Sequence, residues 1–277
     1  MWNRLPILLR ALLAAVAVTS TTTVVWGALI QSNLRFLPGM PWAAVIMAMF
    51  LVFYWKYLKG WGWPQSTAAA RRAGLRAEPL SSSMWRWSLL AGGLGLTASI
   101  TLFILSHRLI RWPQPAHSDL SHIPVITLLP SLLMSAMVAG IGEEAGFRGY
   151  MQGPLERRYG PALGITVTSL VFGLAHLTHG AFLPAIFFDI GWGALYGLLT
   201  YQSGSIVPAI ILHSSADALE FIAAWRFPPT GPPPLVWVSG PDAWLWFNCA
   251  VVVLLGSASV WAFRRLAKNR PSSPESS

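Results

Sequence analysis

Hydrophobic and polar positions do not alternate along this chain; they come in blocks. Apolar runs occupy roughly 6–30, 42–58, 88–107, 122–142, 161–178, 181–200, 205–224 and 244–263. Each lies near the length of about 20 residues that an α-helix needs to cross a bilayer. The pattern predicts an all-α, polytopic membrane helical bundle with about eight transmembrane helices. Connections between the fifth, sixth and seventh runs are very short, which leaves room for one of these runs to be re-entrant or interfacial. The first run has Arg4 and Arg10 beside a short apolar stretch, as a signal peptide does. Its apolar character continues to Ile30, however, and that length favours a retained helix.

The polar blocks read as loops. Gly60 to Met84 is basic, with Pro64, Pro79 and a serine triplet, and reads as a cytoplasmic loop. "RWPQPAHSDLSHIP" is an outside loop, and "RFPPTGPPPLVWVSGPD" is an outside loop too rich in proline for a helix. The tail "KNRPSSPESS" has the composition of a disordered segment. The expected organisation is 1–120 for the N-terminal spans and cytoplasmic loop and 121–225 for a catalytic helical core. Residues 226–265 form the Pro-rich loop and last span, and 266–277 a disordered cytoplasmic tail.

Composition agrees: 54% of the residues are hydrophobic and 10% charged, where a soluble domain carries about a quarter charged. With both termini cytoplasmic, every Lys and Arg falls on the inner side except Arg35, Arg108, Arg111 and Arg226. That asymmetry is the positive-inside rule. The net charge of +9 is thereby topology and contact with anionic lipid, not a nucleic-acid surface. The expected location is the bacterial inner membrane, spanned several times. Many of the 15 tryptophans, among them Trp26, Trp42, Trp61, Trp63, Trp85, Trp87, Trp112, Trp244 and Trp246, lie at span edges and read as interfacial anchors. The single Cys249 excludes a disulfide within the chain.

Ionisable residues inside the apolar runs gather between about 140 and 220, and intramembrane ionisable groups are functional by default. In "GIGEEAGFRGYMQ", Glu144 and Arg148 stand four apart, acid before base, and predict an ion pair. Glu143, about 100° around the helix, is left to act as a base. In "FGLAHLTHG", Phe172 precedes His176 by one turn; His179 beside Gly180 reads as interfacial. In "ILHSSADAL", His213 and Asp217 share a face, so Asp217 either orients the imidazole or joins it in ligating something. Ser214 and Ser215 sit in neither G-x-S-x-G nor S-x-x-K and read as packing residues. Asp189 is a further buried acid, either supporting the site or pairing helices. The His-x-x-His pair lacks the H-E-x-x-H pattern of a zinc helix. Together the clusters supply a base for water (Glu143), polarising donors (His176, His213) and an orienting acid (Asp217). That is an inventory for amide hydrolysis by general-base catalysis with donors for the oxyanion.

The segments "EEAGFRG", "FGLAH" and "HSSAD" resemble the EExxxR, FxxxH and HxxxN/D motifs of the CPBP intramembrane endopeptidases, also called the Abi or type II CAAX prenyl protease family. The resemblance covers about 135–220. It implies an eight-helix membrane protease with a glutamate-activated water: Glu143 as base, Glu144 and Arg148 as its supporting pair, Phe172 in the second motif, and His176 and His213 orienting water or oxyanion. Asp217 stands where Asn is more usual, and brings a negative charge where an amide would donate. No cofactor is favoured; zinc held by Glu143, His176, His213 and Asp217 is the alternative. The expected partners are the lipid bilayer and a membrane-associated peptide or protein substrate, CAAX-protease-like or bacteriocin-immunity-like. The alternative function is a non-catalytic membrane protein that binds a peptide or lipid in the polar cavity.

Overall fold

The computed structural model describes residues 4–113, 120–179, 182–227 and 231–270, with 178 and 179 as backbone alone. Helices account for the fold, and no strand forms among the described residues. They are α1 (Ile7–Phe36), α2 (Trp42–Leu58), α3 (Ala68–Leu75), α4 (Ser82–Leu109), α5 (Val125–Glu143), α6 (Gly153–Tyr159), α7 (Pro161–Ala175), α8 (Leu183–Ser203), α9 (Val207–Arg226), α10 (Val236–Ser239) and α11 (Ala243–Lys268). Between α5 and α6 the chain winds as a π-helix, Glu144–Gln152. All eight apolar runs are helical. Among the described residues, six helices are long and apolar enough to cross a membrane, while Trp42–Leu58 and Pro161–Ala175 are shorter.

Three elements depart from the sequence expectation. The run expected to end near 142 continues without interruption to Tyr159, because the π-helix keeps the chain winding through the charged motif. Residues 60–84 hold a short helix, α3, in place of an unstructured loop. The Pro-rich segment contains a four-residue turn of helix, α10, which lies clear of its prolines. Of the tail 266–277, expected to be disordered, residues 266–268 instead complete α11, where Leu266 is buried by packing; residues 271–277 lie outside the described residues, as does the side chain of His179.

By packing, the chain divides into two units. The first comprises Met1–Ala77, Ala116–Gly164 and Ala209–Pro229. Its apolar core joins α1, α2 and α5 through Trp26, Ala43, Ala44, Met47, Leu51, Met134 and Val138. Trp26 is thus a core residue, not an interfacial anchor: it is 7% exposed and its Nε1 donates to Ser135 Oγ at 2.9 Å. A buried indole finds a partner for its N–H, and Ser135 supplies one. The turn from α1 to α2 closes on the fully buried Asn33, whose Nδ2 donates to the carbonyls of Leu37 (2.8 Å) and Met40 (2.9 Å) and whose Oδ1 accepts from Ala43 N at 2.9 Å. Both N–H donors and the carbonyl oxygen of that amide are engaged.

The second unit comprises Glu78–Pro115, Ile165–Pro208 and Thr230–Ser277. Helix α4 starts at its cap Ser81, whose side chain accepts from Met84 N, and α11 at Asp242, which accepts from Leu245 N at 2.8 Å. Ser and Asp at such positions satisfy an otherwise orphaned N–H. The two helices meet at Ser259 Oγ, which donates to Ala91 O at 2.8 Å, and at the edge-to-face pair Trp87–Trp261. At the other end, buried Arg108 ties α4 to the last connection through Asp242 (3.0 Å) and Ser239 Oγ (3.0 Å).

Candidate active site

Five of the sequence-predicted residues lie together in the first unit. Glu143 ends α5, Glu144 and Arg148 sit on the π-helix, and His213 and Asp217 lie on α9. What brings α9 to this point is Gly140. A Cβ there would come within 3.0 Å of Ser214 N and 3.2 Å of Ile210 O. The backbones of α5 and α9 therefore touch one turn before the acid pair, which places His213 beside Glu144. Ser214 is a packing residue at this crossing. From another side, Thr19 of α1 donates its hydroxyl to Gly142 O at 3.2 Å, at the entry to the π-helix.

The π-helix is itself informative. Its i→i+5 bonding is rare and mostly confined to single turns, frequently at functional sites. Here it spans nine residues and carries the second acid and the arginine of the motif.

Glu144 and Arg148 are both fully buried and paired at 3.1 Å (Nη1 to Oε1). The same Oε1 lies 2.9 Å from His213 Nδ1. An ionised carboxylate only accepts, so the Nδ1–H of His213 is the donor. The orienting acid of His213 is therefore Glu144, and Asp217 stands at the other ring nitrogen. There, Asp217 Oδ2 lies 3.5 Å and Glu143 Oε2 3.9 Å from His213 Nε2. Glu143 Oε2 accepts no hydrogen bond from the described residues. Three carboxylates, one guanidinium and one imidazole share the cluster.

Phe172 and His176 belong to the second unit. There α7 packs closely on α8, since a Cβ at Gly193 would lie 3.2 Å from Ser169 Cα and 3.3 Å from the Phe172 ring. Phe172 is buried, and its carbonyl lies 2.8 Å from His176 Nδ1, with the two rings 4.6 Å apart. A carbonyl only accepts, so Nδ1 carries the proton, leaving Nε2 as the other face of the ring. Asp189 lies on α8 of the same unit. Among the described residues, no three His, Cys, Asp or Glu side chains form a group that could hold a metal ion.

Other participants carry no sequence signal. Thr19 reaches the motif from 123 residues away. Arg76, counted by charge as a loop cation, donates to Arg148 O. Gln152 and Glu156, by contrast, are four apart on one helical path, and their pairing at 2.6 Å follows a spacing the sequence displays.

Fold and site together define a polytopic α-helical membrane protein with a buried carboxylate–histidine centre at a helix crossing. Residues 125–219 match the family model described as Rce1-like, Type II CAAX prenyl endopeptidase Rce1-like. The matched stretch contains all three motifs, and the model is that of the family they resemble. No curated protein and no solved structure matches the chain.

Proposed function

We propose that the chain hydrolyses a peptide bond of a membrane-associated peptide or protein, with Glu143 as the general base for water. The carrying observation is the division of the two acids. Glu144 Oε1 is engaged by Arg148 and His213, whereas Glu143 Oε2 accepts no hydrogen bond from the described residues and lies 3.9 Å from His213 Nε2. A water about 2.8 Å from both atoms, across their 3.9 Å separation, subtends about 90° at its oxygen. One water therefore reaches both.

In this reading Glu143 takes the proton from that water as its oxygen attacks the substrate carbonyl. His213, held through Nδ1 by Glu144, orients the water by accepting from it at Nε2, and as the doubly protonated ring it donates from Nε2 to the developing oxyanion. The resemblance of the second motif is what supports His176 as a further polarising group, and Asp217 sets the charge at His213 Nε2. The proton on Glu143 then passes to the leaving amine, so that the bond broken is the C–N and the new bond is C–OH. The reaction is assigned to bare water, with no step through a metal.

Depth supports cleavage near the cytoplasmic face. Glu143 lies 18 residues after Val125, a rise of about 27 Å through a hydrocarbon layer of about 30 Å. The Lys and Arg distribution supports that end being inside. The test is cleavage of a library of membrane-anchored peptides by purified protein: wild type is expected to cut a subset and Glu143→Gln none. Equal cleavage by both proteins would sink the mechanism.

A further inference from the structure

The π-helix that carries the motif needs something to hold it, since wide turns are seldom sustained beyond one turn. Arg76 supplies a donor there. Its Nη1 donates to Arg148 O at 3.3 Å, and its Nη2 pairs with Glu156 Oε2 at 2.9 Å. Glu156 Oε1 in turn accepts from Gln152 Nε2 at 2.6 Å. The arginine thus spans the exit of the π-helix, from Arg148 to the α-helical turn at Glu156. Its side chain is 14% exposed and that of Glu156 11%. A Cβ on Gly153 would lie 3.1 Å from Arg76 Cδ, so the guanidinium stem lies flat across this turn.

Helix α3 is built to deliver it. Arg71, itself buried, donates to the carbonyls of Tyr57 (2.8 Å), Pro64 (3.0 Å) and Trp61 (3.1 Å) and fixes the connection from α2. Tyr150 of the π-helix donates its hydroxyl to Arg71 O at 3.1 Å. Arg76 then closes α3 in the left-handed conformation, φ 55°. A non-glycine residue there is uncommon, and such strain persists only where the surroundings over-determine it.

We propose that Arg76 is a positioning residue for the reaction: by gripping the Arg148 carbonyl it fixes the π-helical register from which Arg148 holds Glu144, and Glu144 holds His213. This rests on the endopeptidase reading above. Glu156 supports Arg76 but does not touch the Arg148 carbonyl in its place, and the two roles separate on substitution.

Arg76→Ala is expected to lower kcat about tenfold or more, as a small misplacement of reacting groups does, with KM within about twofold. The exchanged pair Arg76→Glu with Glu156→Arg is expected to recover the melting temperature but not kcat. An ordinary ion pair would recover both, and that result, or an unchanged kcat in Arg76→Ala, overturns the proposal. Amide hydrogen exchange at residues 148–153 reads the same claim without turnover. Faster exchange in Arg76→Ala than in wild type is expected, and unchanged exchange would overturn the positioning role. If wild type and Glu143→Gln prove equally inactive on every peptide, the endopeptidase reading fails while the exchange result still decides the role of Arg76.

Discussion

Glu144 holds His213 through one carboxylate oxygen: Nδ1 lies 2.9 Å from Oε1, the oxygen that also meets Arg148 at 3.1 Å. A single buried acid therefore links the two helices of the candidate site. Truncating it leaves the Arg148 charge buried without that partner. Removing one member of a buried pair costs about 3–5 kcal/mol. Glu144→Ala is expected to lower stability by that amount in reversible unfolding in detergent. Glu144→Ala combined with Arg148→Met is expected to be more stable than Glu144→Ala alone; an additive loss would show that the two side chains do not act as a pair.

The crossing at Gly140 is a backbone contact, and a methyl group there has no flexible neighbour to displace on the Ser214 N and Ile210 O side. Gly140→Ala is expected to destabilise by about 1–3 kcal/mol through overpacking and to move His213 away from Glu144. Adding Ser214→Ala relieves only the side-chain part of the clash. Full recovery of stability in that double variant would show that the backbones are not in close contact.

Much of this was legible in the sequence. The eight apolar runs fall on helices, since a helix pairs its own backbone groups where water is absent, and six of those helices among the described residues are long and apolar enough to cross a membrane. The Glu144–Arg148 pair followed from four-residue spacing, and the three motifs located the domain. Other features depend on distance in space. The spacing of His213 and Asp217 suggested Asp217 as the orienting acid, yet the crossing at Gly140 gives that place to Glu144, 69 residues away in sequence. Trp26 looked like a span-edge anchor because edge position is visible in sequence and Ser135 beside its N–H is not. Arg76 was one loop cation among several, since nothing local says which arginine meets a carbonyl 72 residues on.

Outside the spans, Asp242 caps α11 and pairs with Arg108. The backbone N–H of Leu245, then Arg108, hold its carboxyl below the ordinary carboxylate range. A folded-state pKa below the unfolded one gives stability that is present above the unfolded value, about 3.9, and is lost as pH falls through the lower folded value. Asp242→Asn is therefore expected to melt below wild type at pH 6, with the gap closing below about pH 4. A gap independent of pH over that range would remove the carboxylate from the account.

The reaction assigned here runs on bare water. Purified active protein is expected to contain zinc well below one equivalent and to keep its turnover after treatment with a strong chelator. Stoichiometric zinc, with activity lost on chelation and regained on adding zinc, would instead make Glu143, His176, His213 and Asp217 the ligand candidates.

The central claim is that two adjacent acids have separate tasks, Glu143 chemical and Glu144 structural. Turnover and melting temperature measured side by side for Glu143→Gln and Glu144→Gln test it most directly. Glu143→Gln is expected to lose at least about a hundredfold in kcat, the scale of general-base catalysis, while melting like wild type. Glu144→Gln is expected to melt lower. Wild-type turnover by Glu143→Gln would contradict the account.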